Sequence, residues 1–243
     1  MSVWFVTPAW QRFELTRVVL EQRRHVIGHL AERKVEAHCV VVADDANADI
    51  AEELGFDVLR SRNYALGRKF NDGIEYAARH GAEWVVPIGS DSFIDPAYFL
   101  PLPGEGVMRS STLYALAEPG RLGRLKIRNG PGVGPYMIPR PHLPKSLRPA
   151  QDMRKRGVDG STLAGLKRGY SVEKVDLHPW QYVGFRRPDP APGHPQMNSY
   201  SKLYGRLGVG EEPEVTEALS EYYPLRLVER ALAACGAAAE VAA

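Results

Sequence analysis

Cysteine is scarce in this chain: its 243 residues hold only Cys39 and Cys235, far apart, with no CxxC pair and no Cys/His ligand spacing. That count argues against a disulfide scaffold and against a structural zinc site. Long apolar runs are missing too. No stretch reaches the roughly 18 to 20 residues of a membrane span, and the N-terminus lacks the basic segment, apolar core and cleavage site of a signal peptide. These absences predict a soluble, cytosolic chain. Glycine is absent from Thr7-Pro8-Ala9-Trp10-Gln11-Arg12, the loop after the first apolar run, and GxxxxGK[ST] occurs nowhere, which excludes a P-loop.

Apolar residues make up 44% of the chain, enough over this length to bury a substantial core. With 19 Pro and 23 Gly it is rich in turns, which fits a loop-rich α/β protein rather than a helical bundle. The net charge of +2 conceals an asymmetry: residues 104–187 carry 16 Lys/Arg against 6 Asp/Glu, while the remainder carries 15 against 23. Runs of like charge are ordinarily solvated faces. A balance of +10 confined to a third of the chain points instead to an anionic partner.

Short β-branched and aromatic runs alternate with helical spacing. Residues 3–6, 37–43, 56–59 and 84–88 read as strands; residues 15–30, 49–54 and 68–80 read as helices, with Gly55 and Gly81 as stops. Alternation of this kind predicts βαβ units and a mostly parallel sheet flanked by helices. Ligands of such sheets bind beyond the carboxyl ends of the strands. Those ends carry Thr7-Pro8-Ala9 with Arg12, Asp44-Asp45, Asn63 and Ser90-Asp91-Ser92. Arg68, Lys69 and Asn71 open a helix just after Gly67; cations at a helix N-terminus, where acids are normally favoured, suggest an anion site.

Beyond residue 101 prolines punctuate short strand-like pieces at 113–116 and 136–138. A helix is predicted at 159–168, a strand at 170–177, a linker or flap at 188–195 and a terminal helix at 214–234. No internal repeat occurs. The expected organisation is one domain in two halves, 1–100 and 101–187, followed by a flap and C-terminal helix in 188–243.

The pieces VWFVTPAWQR, VVVADDAN, RNYALGRKFNDGIEYAARHGAEWVVPIGSDSF, RGVDGSTLAGLKRGY and VDLHPW follow one another in an order that resembles GT-A glycosyltransferases of the family 2 type. The resemblance covers residues 2–100 well and 130–186 loosely. It implies a nucleoside diphosphate sugar as donor, bound by the 1–100 half. It also places Asp91 at the DXD-type metal motif, where a hard divalent cation, Mn²⁺ or Mg²⁺, cross-links the diphosphate oxygens. Here the motif is Ser90-Asp91-Ser92, with one carboxylate, and an Asp opening a turn is the alternative reading. His178 falls where such folds supply a further metal ligand or diphosphate contact; a turn histidine is the alternative.

The resemblance further implies that Asp44 or Asp45 reads the base or ribose, and that Thr7-Pro8-Ala9 wraps the nucleoside. Asp159, at the start of a predicted helix, would be the general base that takes the acceptor proton, with Asp152 as second choice; the alternative for Asp159 is an N-cap. Some small phage-encoded relatives modify hydroxymethylated pyrimidines in DNA, an acceptor that suits the basic stretch containing Arg121, Arg124, Lys126, Arg140 and Lys155. A protein or glycan acceptor, a nucleotidyltransferase, and a non-catalytic polyanion-binding module with a degenerate fold remain the competing readings. Oligomeric state is not fixed by the sequence.

Overall fold

In a computed structural model the described residues are 1–43, 45–61, 65–99, 107–110, 112–118, 121–126, 136–143, 172–175, 181–185 and 215–235. The first half is built of β1 (Ser2–Pro8), α1 (Phe13–Glu32), β2 (Glu36–Ala43), α2 (Asp45–Glu53), β3 (Asp57–Arg60), α3 (Leu66–Arg79) and β4 (Trp84–Pro87). After it come β5 (Ser92–Ile94), β6 (Val107–Ser110), β7 (Thr112–Glu118), β8 (Arg121–Lys126), β9 (Tyr136–Pro139), β10 (Val172–Val175) and β11 (Tyr182–Gly184). Two helices close the described chain, α4 (Val215–Ser220) and α5 (Leu225–Ala234).

Seven strands form one sheet in the order β10-β6-β9-β4-β1-β2-β3; β5, β11, β7 and β8 form a second, in that order. β1 runs parallel to both β2 and β4, and β2 parallel to β3, whereas β9 runs antiparallel to β4. The α/β architecture with a mostly parallel sheet flanked by helices is therefore present as the sequence predicts.

β1 shows why both faces are covered. Its side chains alternate, as they must along a strand. Val3 and Phe5 pack with Leu20, Val26 and Leu30 of α1, whereas Trp4 and Val6 pack with Phe70, Ile74 and Ala77 of α3. Gly73 sets the approach of α3 to the sheet: a Cβ there would lie 2.4 Å from Val6 Cγ1. Gly55 (φ 79°) and Gly81 (φ 85°) follow α2 and α3 in the left-handed region, as expected of helix stops.

The sequence predicts one terminal helix over 214–234. The chain instead turns between α4 and α5, because Pro224 has no N–H to continue the ladder and disfavours helical backbone at Tyr223. Both helices bury Val215, Leu219, Leu227 and Val228 against Leu15, Val18 and Val19 of α1. The predicted helix at 159–168 and the segment 188–195 lie outside the described residues. No helix among the described residues is long and apolar enough to cross a membrane.

Candidate active site at the carboxyl edge of the sheet

Strands β1, β2 and β3 progress to one side, and β4 then returns to the other flank of β1. The reversal falls between the carboxyl ends of β1 and β4, the place where open α/β sheets bind ligands. Arg12, after β1, and Asp91, after β4, meet there: Arg12 Nη1 lies 3.4 Å from Asp91 Oδ2, with the two side chains 18% and 17% exposed. Residues 79 apart in the chain thus form one largely buried charge pair at the switch point.

The loop that carries Arg12 is tied down on every side. Ala9 N–H donates to Val42 O at 2.9 Å, and Lys69 Nζ, on the first turn of α3, donates to Ala9 O at 2.8 Å. Gln11 O accepts from Thr16 Oγ1 and from Asn47 Nδ2, at 3.4 and 3.5 Å. These bonds hold Gln11 (φ 53°) and Arg12 (φ 54°) in the left-handed region, a conformation that costs about 1–2 kcal/mol at each residue with a Cβ. Such strain persists only where the surroundings over-determine it, and it gathers at functional sites.

Asp91 is aimed with comparable care. Its carbonyl accepts from Phe185 N–H at 2.7 Å. Ser92 Oγ donates to Asp91 Oδ1 at 3.1 Å, and Tyr182 O–H donates to Ser92 Oγ at 3.2 Å. Gly89 leaves room for the carboxylate, since a Cβ there would sit 2.7 Å from Asp91 Oδ1.

Behind this turn, α1 grips the backbone of β5. Gln22 Nε2 donates to Ile94 O at 2.7 Å, and Arg23 Nη2 reaches Ser92 O at 3.4 Å. Arg23 is fully buried, with its guanidinium 4.9 Å from the centre of the Phe5 ring. Its Nε and Nη1 have no hydrogen-bond partner among the described residues. Burial pushes the Arg23 pKa down to about 10, so the group is still a cation at neutral pH. The Ser92 carbonyl and the Phe5 ring offset the desolvation of this buried cation only in part. Burial also pushes the neighbouring Cys39 thiol up to about 11.

Around the pair, the expected residues take different positions. Thr7, Pro8 and Ala9 are buried in the strand end, and Trp10 beside them is 43% exposed. Gly67, Lys69 and Asn71 lie on the buried side of the start of α3, while Arg68 is exposed and pairs with Asp72 at 3.0 Å. Ser90 is half-buried and Ser92 buried. The backbone of Asp45 opens α2 directly after β2. Asp44, Asn63, Asp152, Asp159 and His178 lie outside the described residues. Gln22, Arg23, Tyr182 and Gly89 were not read as site residues. Arg23 had a visible signal, because it interrupts the apolar stripe Val19, Val26 and Leu30 at helical spacing.

As a metal centre, the described residues offer little. No group of three or more His, Cys, Asp or Glu is assembled among them. Asp91 is the carboxylate at the switch point, and the Ser92 hydroxyl is buried and committed to Asp91 and Tyr182. One carboxylate suits an ion that keeps its waters and takes phosphate oxygens, as Mg²⁺ usually does, rather than an ion caged by protein. A separate cleft, lined by Arg24, Ile27, His38, Glu53, Leu54 and Phe56, opens at the amino ends of β2 and β3, away from this pair.

No protein-family model matches the chain, and no curated protein matches it. Solved structures do. TarS of S. aureus superposes with a TM-score of 0.57 at 14% identity, over 76% of this chain and 60% of that one. Its complex with UDP gives 0.54 at 15% identity, over 77% and 61%. The fold is GT-A-like. A Drosophila β1,4-galactosyltransferase 7 mutant, solved with manganese, UDP-Gal and xylobiose, gives 0.50 at 13% identity over 75% and 67%. The inositol-1-phosphate CTP transferase of T. maritima gives 0.52 at 12% identity, over 91% of this chain and 95% of that one. The GT-A-like chain thus spans about three fifths of the TarS fragment, and nearly all of the CTP transferase.

Proposed function

We propose that the chain is a glycosyltransferase that moves a sugar from a nucleoside diphosphate sugar to the hydroxyl of a polyanionic acceptor, with modified DNA as the favoured candidate. The observation that carries this reading is the largely buried Arg12–Asp91 pair at the β1/β4 switch point of a GT-A-like fold. An arginine there offers a planar fork of donors that matches phosphate oxygens. Asp91, with His178 as a proposed second ligand, would hold Mn²⁺ or Mg²⁺, and such an ion neutralises the charge of a departing diphosphate. Arg68, Asn71 and the amides near Gly67 are proposed to lie along the diphosphate. The backbone of Thr7-Pro8-Ala9 and the acid Asp44 or Asp45 would take the nucleoside. Asp159, or else Asp152, would accept the proton of the attacking hydroxyl.

The basic stretch 104–187 forms the proposed acceptor side, and its balance of +10 is what favours a polyanion over a neutral saccharide. A protein or glycan acceptor is the variant of this reading without nucleic acid. A nucleotidyltransferase is the second reading, favoured by the extent of the T. maritima match. Against it stands the β1–α1 loop, which has no glycine to let phosphates approach its backbone and presents Trp10, Gln11 and Arg12 instead.

The test is a donor panel of UDP-, GDP- and dTDP-sugars, with and without Mn²⁺, run beside CTP plus a sugar phosphate. Glycosyl transfer or donor hydrolysis that Asp91→Asn abolishes, in a variant with an unaltered unfolding transition, is the expected result. Release of pyrophosphate from CTP would select the nucleotidyltransferase. DNA binding that falls steeply with salt, with no turnover of any donor, would select the binding module.

A further inference from the structure

We infer that the two-stranded ribbon of β7 and β8 is the surface that grips the acceptor, and that the acceptor is duplex DNA. The inference rests on the polyanionic acceptor of the proposed reading and names the element that would hold it. β8 is the last strand of the four-stranded sheet, so its outer edge is unpaired among the described strands. Its six residues include Arg121, Arg124 and Lys126 and no acid. Over residues 107–148, eight Lys/Arg stand against Glu118 alone. Acids gather elsewhere: α2 and β3, at the β3 edge of the seven-stranded sheet, carry five Asp/Glu against Arg60. A single charge is enough to guard an edge strand against pairing with another chain. Three cations in six residues suit a row of phosphates instead.

The pairing of the strands sets where the ribbon points. Ser92, the residue after Asp91, is paired with Gly184, and Gly184 with Ala115. β7 runs parallel to β11, which ends at Gly184, so Leu116–Glu118 continue past β11 at the end of the sheet where Asp91 stands. Beyond Ala115, β7 has β8 as its partner among the described strands, with Leu116 paired to Leu122 and Glu118 to Arg121. The tip is thus a projecting ribbon, two strand spacings, or roughly 10 Å, from Ser92. The pairing register shifts between Leu116 and Glu118; such irregularities increase local twist and collect at sheet edges and beside active sites.

A two-stranded ribbon is one of the elements that the major groove of B-DNA admits. Arg124 and Lys126 stand on one face of β8, about 7 Å apart along the strand, and Tyr114 is the register partner of Arg124. Cations so placed would contact phosphates, which position a duplex without reading its sequence.

Binding of a short labelled DNA duplex to the full chain would be followed by fluorescence anisotropy between about 50 and 200 mM salt. The variants are the triple Arg121→Gln, Arg124→Gln, Lys126→Gln; the double Arg124→Gln, Lys126→Gln; the charge-keeping double Arg121→Lys, Arg124→Lys; and Arg79→Gln on α3 as a remote control. Each lost phosphate contact lowers the slope of log affinity against log salt by about 0.9, so the triple variant should lose roughly 2–3 and the double roughly 2. Affinity of the triple at the lowest salt should fall at least tenfold at an unaltered unfolding transition, while the charge-keeping double and Arg79→Gln keep the wild-type slope. Wild type should also hold the duplex more tightly than either of its single strands. An unchanged slope in the triple or double variant, no duplex binding by wild type, equal or tighter binding of single strands, or binding of heparin but not of the duplex overturns the inference. Donor hydrolysis by an enzyme whose triple variant keeps the wild-type slope would sink the ribbon contact and leave the glycosyltransferase reading standing; the expected slopes without turnover of any nucleotide sugar would do the reverse.

Discussion

Gly89→Ala places one methyl group against the charge pair while leaving both charged residues in the sequence. The new Cβ would lie 2.7 Å from Asp91 Oδ1, well inside contact distance, and the atom it meets belongs to a side chain rather than to the backbone. The carboxylate therefore swings, giving up the Ser92 hydroxyl at 3.1 Å and Arg12 at 3.4 Å. An off-rotamer side chain costs about 0.5–1.5 kcal/mol, and a part-exposed ion pair contributes under about 1 kcal/mol. Removing a glycine from the unfolded chain returns about 0.4–1 kcal/mol. The net change is about 2 kcal/mol at most, or up to roughly 4–8 °C in Tm for a chain of this size. Turnover should suffer far more, because a reacting group displaced by ~1 Å can lose ~100-fold in rate. Thermal unfolding and donor turnover, measured on the same preparation, decide the matter. Full turnover at wild-type Tm would refute the claim that the orientation of Asp91 matters, and a large fall in Tm would show that Gly89 serves the backbone instead.

Two helix glycines should respond oppositely to alanine. Gly73→Ala drives a Cβ to 2.4 Å from Val6 Cγ1 and 3.1 Å from Val42 Cγ2; overpacking of about 1–3 kcal/mol should outweigh the helix-propensity gain of about 1 kcal/mol. Gly28→Ala meets nothing within 4 Å on an exposed face of α1 and should stabilise by about 0.5–1 kcal/mol; urea titration reads both, and a stabilising Gly73→Ala would contradict the close packing of α3 on β1. Cys39 and Cys235 are both buried, and burial pushes the Cys39 thiol up to about 11. Neither should react with a disulfide reagent at pH 8 in the native protein, and both should react once it is unfolded; prompt labelling of native Cys39 would contradict its burial.

The layout of the first half was legible because β1, β4 and the second part of β2 are buried on both faces and read as unbroken apolar runs, while glycine stops mark the ends of α2 and α3. The site was legible in part. Arg12 and Asp91 stood out singly at strand ends, but their meeting depends on the strand reversal and on two left-handed residues, neither of which composition signals. β5 escaped notice because the three residues Ser92-Phe93-Ile94 are too few to show a period. β8 escaped because Arg121-Leu-Gly-Arg-Leu-Lys126 is basic, contains a glycine and does not alternate strictly. Arg23 does carry a signal in the sequence: it is a charge within an apolar stripe, and it holds the backbone of the strand that follows Asp91.

α1 starts from Arg12 in front of the carboxylate, and eleven positions along it Arg23 grips the strand behind. The helix is thus a rigid yoke across Asp91. The two C-terminal helices lean on the same yoke through Leu15, Val18 and Val19, with Arg230 tethered to Glu21. Loosening α4 and α5, remote as they are from the switch point, would let the yoke rock and carry both of its grips with it.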